Sequence, residues 1–117
     1  MTDETICIYH LALAAGDYEA FKELVARIVA ATHKEPGTLS YEYSVNADHT
    51  KIHIMERYRT SALLSHVEET FAPFAKRFLE LVTIESLYVY GTTTPEIQAK
   101  LDGFGAIYMT SFDGFTR

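Results

Sequence analysis

The run EPGTLSYEYSVNADHTKIHIMERYR, residues 35–59, constrains this chain more than any other stretch. It opens on the turn signal Pro36-Gly37, then alternates Leu39, Tyr41, Tyr43 and Val45 with Ser40, Glu42 and Ser44. After Asn46-Ala47-Asp48-His49 the alternation resumes, with Ile52, Ile54, Glu56 and Tyr58 set against Lys51, His53, Met55 and Arg57. Two period-2 runs joined by a short Asn/Asp-containing loop predict a β-hairpin, because successive strand side chains point to opposite faces. A turn centred on Ala47 and Asp48 sets Tyr43 opposite Ile52 and Tyr41 opposite Ile54. On the second face it sets Glu42 across from His53 and Ser40 across from Met55. The first face is apolar apart from Glu56; the second carries most of the polar groups.

The flanking segments complete a pattern. Residues 6–13, ICIYHLAL, are rich in β-favouring apolar side chains and suit a strand buried on both faces. His10 shares a face with Ile6, Ile8 and Ala12, and Tyr9 shares the other with Cys7, Leu11 and Leu13. From Tyr18 the period changes: Phe21, Leu24, Val25, Ile28 and Val29 form one apolar helix face running to about His33, with Asp17 as its N-cap. A second helical region starts at Thr60 or Ser61, either of which can cap it, and carries Leu63, Leu64, Val67, Phe71, Phe74 and Phe78 on one broad face. Pro73 belongs in a first helical turn, so a break near Glu69-Thr70 is expected, with Thr70 capping the next helix. A fourth strand, Leu81 to Tyr90, closes at Gly91. The order β-α-β-β-α-β is that of a ferredoxin-like α+β fold, an antiparallel sheet with both helices on one face. Strands one and four are apolar on both sides, so the open face of the sheet is expected to pack on a second copy, giving a homodimer.

At 117 residues the chain makes one domain, 1–117. A formal charge of −6 argues against nucleic-acid partners and anionic membranes, which need a basic surface. The one cysteine, Cys7, excludes an internal disulfide and a Cys-based zinc site. No apolar run approaches the roughly 18 residues of a membrane span, and MTDETICIYH lacks the basic head of a secretory leader. A cytoplasmic location is expected. His66 and Glu69 have metal-compatible spacing, but no second pair completes a site. There is no Gly-x-Ser-x-Gly, and Gly103-Phe104-Gly105 lacks the third glycine of a dinucleotide loop.

Several motifs together make the chain resemble the antibiotic biosynthesis monooxygenase family. They are Gly16 with Phe21, Glu35-Pro36-Gly37 leading to Leu39 and Tyr41-Glu42, Glu56-Arg57-Tyr58, then Leu63, His66, Phe71 and Phe74. The resemblance covers about residues 5–91 and implies a dimeric α+β barrel. The family usually carries tryptophan where Tyr58 stands, and the interval from Glu56 to His66 is one residue shorter than the family pattern. The haem-degrading branch uses a strand-one asparagine and a tryptophan. Tyr9 stands in place of that asparagine and the chain has no tryptophan, so haem degradation is not implied. What the resemblance implies is a cofactor-independent monooxygenase acting on a small aromatic or quinol-type compound. An electron-rich phenolate or enolate can itself reduce dioxygen, so neither metal nor flavin is called for. The protein must supply a base, a donor that holds the anion, and an apolar pocket that excludes water.

Glu56, His66 and His53 are the candidate catalytic groups. Buried, Glu56 would have a raised pKa suited to proton transfer; otherwise it is a strand-end carboxylate paired with an arginine. His66, on the flank of the second helical stripe, faces a pocket mouth or solvent. His53 opposite Glu42 is an oriented base or a cross-strand pair at the dimer interface. His10, on an apolar strand face, reads as a satisfied core residue. Tyr9, Tyr41, Tyr58, Phe71 and Phe74 are candidate substrate-binding residues, with Tyr43, Tyr88 and Tyr90 as further aromatics. Two alternatives stay open: an isomerase or lyase using the same base without oxygen, and a non-catalytic small-molecule-binding or stress-response dimer. In the extension 92–117, Thr94-Pro95-Glu96 predicts a short helix to about Leu101 with Gly103 beyond its end. The apolar groups Phe104, Ile107, Tyr108, Met109, Phe112 and Phe115 predict that the tail docks, as an arm on a partner or a lid over the pocket.

Overall fold

The structure is a computed structural model describing residues 3–117. Strand β1 (Glu4–Ala12) is followed by helix α1 (Tyr18–Thr32), the hairpin β2 (Thr38–Val45) and β3 (Lys51–Arg59), and a long helical passage. Strand β4 (Thr83–Gly91), helix α4 (Pro95–Leu101) and strand β5 (Ala106–Met109) complete the chain. The sheet order is β2-β3-β1-β4-β5, antiparallel except for β5, which pairs parallel with β4. The architecture is therefore the expected ferredoxin-like α+β fold with one added strand. The sheet is open, with β2 and β5 as its edges.

Period-2 alternation separates two faces. Thr5, Cys7, Tyr9 and Leu11 of β1, Ile52, Ile54, Glu56 and Tyr58 of β3, and Leu87 and Val89 of β4 are buried beneath the helices. Phe21, Leu24 and Ile28 of α1 and Phe78 and Leu81 of the helical passage close the core over them. On the outer face Ile6 and Ile8 are only half-buried, and Met55 is 47% exposed. That face carries a band of apolar side chains that the described residues leave only partly covered.

Three expectations are corrected. The hairpin register lies two residues from the expected one: Tyr43 faces Ile54, Val45 faces Ile52, Ser44 faces His53, Glu42 faces Met55 and Tyr41 faces Glu56. The cause is a wider turn, in which Asn46 Oδ1 accepts from the backbone of Thr50 and Lys51 at 3.0 and 2.9 Å. His49 absorbs the bend at φ 62°. Second, the helical passage does not break at Thr70. A 3-10 turn (Thr60–Ala62), a short α turn α2 (Leu63–Ser65), a π-helical turn (His66–Phe71) and α3 (Ala72–Leu81) run on continuously. Pro73 has no N–H and would crowd the carbonyl four residues back in a plain α-helix. The wider π turn delivers it to the first turn of α3. Third, Thr60 does not cap a helix; its hydroxyl meets Thr5 Oγ1 at 2.9 Å, and Thr5 also donates to the Thr92 carbonyl.

The extension keeps its expected helix and adds a strand. Thr94 caps α4 as expected, accepting from Ile97 N at 3.2 Å. The helix ends at Leu101 with Gly103 just beyond it, as expected; a 3-10 turn (Asp102–Phe104) follows, and Gly105 takes the left-handed conformation at φ 74°. That turn aims residues 106–109 along β4 as a fifth strand, and the segment after Met109 runs out exposed.

Gly91 is where β4 must leave the sheet. Its φ is +85°, and a Cβ there would lie 2.5 Å from the Glu4 carbonyl oxygen. Gly91→Ala is expected to lower stability by at least ~1–2 kcal/mol, the strain of a left-handed residue with a side chain. Denaturant titration of the two proteins measures this; equal midpoints would contradict it.

Candidate active site

Strand β3 places Glu56 and Tyr58 two residues apart on the inner face, under the helical passage. Tyr58 is 1% exposed and donates its hydroxyl hydrogen to Glu56 Oε1 at 2.6 Å. Glu56 is itself buried, and loss of hydration pushes its carboxyl up to about 8, against the lowering effect of the Tyr58 bond. Repulsion from the Glu35 carboxylate adds to the rise. At neutral pH Glu56 is therefore a carboxylic acid, a group that can donate a hydrogen bond.

His66 enters from the start of the π turn and is 3% exposed. Its Nδ1 lies 3.1 and 3.3 Å from the two carboxylate oxygens of Glu35. Thr38 Oγ1 donates to Glu35 Oε1 at 2.6 Å, fixing the carboxylate from the other side. The contact has ion-pair distances, yet burial lowers the His66 pKa despite the Glu35 charge that raises it. Burial outweighs attraction here because Glu35 reaches solvent and is partly screened. The ring is thus neutral: Nδ1–H donates to Glu35, and the lone pair sits on Nε2.

Glu56 and His66 line one narrow cavity together with Tyr9, Tyr41, Tyr43 and Phe71. It has room for the centres of one or two water molecules, about 30 Å³. The Tyr41 and Tyr43 hydroxyls bond one another at 3.0 Å, and burial raises both phenol pKa values. Phe104 meets Tyr9 edge-on, ring centroids 6.4 Å apart, so the C-terminal extension supplies part of the wall. The arrangement combines a neutral acid and a neutral base in a water-poor space.

The structure brings together Glu56, His66, Tyr9, Tyr41 and Phe71, with Tyr58 directly behind Glu56 and its ring 5.4 Å from His66. It does not bring His53 there. His53 is on the outer face of β3, stacked on His10 at 4.0 Å, because alternation turns it away from Glu56. The His53–Glu42 pairing is absent, since Ser44 faces His53. His10 is correspondingly on the outer face and not in the core. Phe74 packs against the core but does not line the cavity; Phe71 and Phe78, seven residues apart on one helical face, do. Tyr88 and Tyr90 belong to the outer face. Glu35 was visible in the sequence only as an acid before a Pro-Gly turn. Its partner lies 31 residues away, and no local spacing links the two. Among the described residues no three His, Cys, Asp or Glu side chains converge as a metal-binding group, and no helix is long and apolar enough to cross a membrane.

The whole chain superposes on MupZ from Pseudomonas fluorescens with a TM-score of 0.86 and 25% identity, covering 91% of that chain. Rv0793 from Mycobacterium tuberculosis matches 78% of this chain and 96% of its own at 22% identity, with a TM-score of 0.66. SnoaB from Streptomyces nogalater, a cofactor-independent oxygenase, matches 80% of this chain and 96% of its own at 17% identity, with a TM-score of 0.65. These last two likenesses speak for the fold. No curated protein matches the sequence significantly. The family model for antibiotic biosynthesis monooxygenases matches residues 6–70, more than half of the chain and the part holding Glu35, Glu56 and His66, and the protein belongs to that family.

Proposed function

We propose that the protein is a cofactor-independent monooxygenase for a small phenol or quinol-type compound, and that it works as a homodimer packed through the outer face of the sheet. The observation that supports this most is the pairing of a neutral acid, Glu56, with a neutral base, His66, in one apolar cavity. His66 Nε2 takes the phenolic proton while Glu56 donates a hydrogen bond to the oxygen on which charge develops. The phenolate passes an electron to dioxygen, and a carbon–oxygen bond forms at a ring carbon bearing hydrogen. Loss of water from the resulting hydroperoxide leaves a quinone carbonyl. One oxygen atom ends in product and the other in water, with both electrons drawn from the substrate. Few waters fit beside the reacting atoms, which favours charge transfer over quenching. The cavity is smaller than an aromatic ring, so binding requires the walls carrying Leu79 and Phe104 to move outward.

The same pair could move a proton with no oxygen consumed, an isomerase or lyase reaction. An acid and a base that are both neutral favour that reading as a second one. Oxygen uptake with a panel of hydroquinones and anthrone-like phenols, on protein free of flavin and metal, tests the first. Uptake matched by quinone formation supports it; conversion under strict anaerobiosis supports the second. Turnover that requires added flavin or iron contradicts both, and a protein that only binds the compounds is the silent dimer. Light scattering at micromolar concentration should give about twice 13.2 kDa, and a mass of one chain would contradict the dimer.

A further inference from the structure

The segment after Met109 carries Phe112, 99% exposed, and Phe115, 80% exposed. Two exposed phenylalanines three residues apart on an irregular tail are not how a chain leaves apolar surface in water. At the opposite edge of the sheet, α1 and the start of β2 enclose a groove lined by Val29, Thr32, Pro36, Leu39 and Glu35. Val29 and Leu39 are each 36% exposed there.

The strand register relates these two features. Met109 is level with Tyr90, Tyr90 with Ile6, Ile6 with Arg57, and Arg57 with Ser40. The tail therefore leaves β5 at the same end of the sheet at which β2 begins. When two such sheets stack face to face about a twofold axis along the strands, strand order is reversed but strand ends stay level. Strand β5 of one copy then overlies β2 of the other, and residue 110 emerges beside the groove. A twofold across the strands would stack β5 on β5 and leave both grooves empty. From this we infer that residues 110–117 of each copy form an arm seated in the partner's groove, with Phe112 and Phe115 as its anchors. The inference rests on the face-to-face dimer proposed above. The arm covers the solvent side of Glu35, the residue that orients His66, so each active site is completed by the other chain.

Trapping and truncation test this on the full-length protein. With Leu39→Cys and Phe112→Cys combined, oxidation should give a chain-to-chain disulfide, seen as a dimer on a non-reducing gel; the native Cys7 is buried and stays out of the reaction. A monomer-sized internally linked product would make the tail a lid on its own subunit, and no link at all would also overturn the arm. Independently, Phe112→Ser with Phe115→Ser, and deletion of residues 110–117, should each raise the dimer dissociation constant on the order of 10²-fold. Because both phenylalanines are exposed in the single chain, neither change disturbs its core. If wild-type protein is itself monomeric, the dimer is wrong. If wild type and both variants dimerise equally tightly, the dimer stands and the arm is wrong.

Discussion

His66→Gln is expected to reduce oxygen-dependent turnover of a phenolic substrate by ~10²-fold or more, the usual effect of removing a general base. Glutamine keeps comparable bulk and can still bond Glu35, so the loss reports the missing lone pair and not a collapsed helix. The wild-type pH profile should be bell-shaped. On the acid side activity falls as His66 takes up a proton, at a pH below the ordinary histidine value because burial disfavours the charged ring. On the alkaline side it falls as Glu56 loses its proton at about pH 8. Steady-state kinetics from pH 5 to pH 9.5 measure both limbs. Unchanged turnover in His66→Gln, or a profile that rises steadily through pH 8, would contradict the assigned roles.

Glu56→Gln is expected to stabilise the protein above neutral pH and, because its amide can still donate to the developing oxyanion, to remove the alkaline fall in activity. The folded-state pKa of Glu56 is about 8 and its ordinary value is 4.5, so between these the folded protein holds a proton that the unfolded chain has released. Stability therefore falls as pH rises through that window, and the whole penalty is present above pH 8. Its full size is about 5 kcal/mol, at 1.36 kcal/mol per pKa unit. Glutamine is neutral throughout, and its amide oxygen can still accept the Tyr58 hydroxyl hydrogen. The variant should nearly match wild type near pH 4.5 and exceed it by on the order of 4 kcal/mol at pH 7.5, several degrees in Tm. Urea titrations at three pH values show whether the gap widens. A constant gap, or a less stable variant at high pH, would mean that Glu56 is ionised when folded.

Much of this site was legible because strands and helices have fixed periods. Alternation put Tyr41, Tyr43, Glu56 and Tyr58 on one side of the hairpin, and the structure buries that side. The stripe Phe21, Leu24 and Ile28 was readable in the same way. What escaped were features set by single side chains or by distant contacts. The hairpin register depended on Asn46 capping the loop with its own amide oxygen, which moved every cross-strand pair by two residues. The π turn at His66–Phe71 is a compromise between a continuous apolar helix face and Pro73, and no local propensity announces it. Strand β5 was hidden because residues 106–109 are too few to show alternation, and only the Gly105 turn aims them at β4. Glu35 reads as turn chemistry until folding sets it against His66.

The site depends on Glu56 being held as a neutral acid, and its protonation is directly observable. Carbon-13 NMR of glutamate-labelled protein, with Glu56→Gln used to assign the resonance, follows that carboxyl through a pH titration. A protonated carboxyl at pH 7 and a midpoint near 8 are expected. A midpoint in the ordinary range of about 4–5 would contradict the neutral acid.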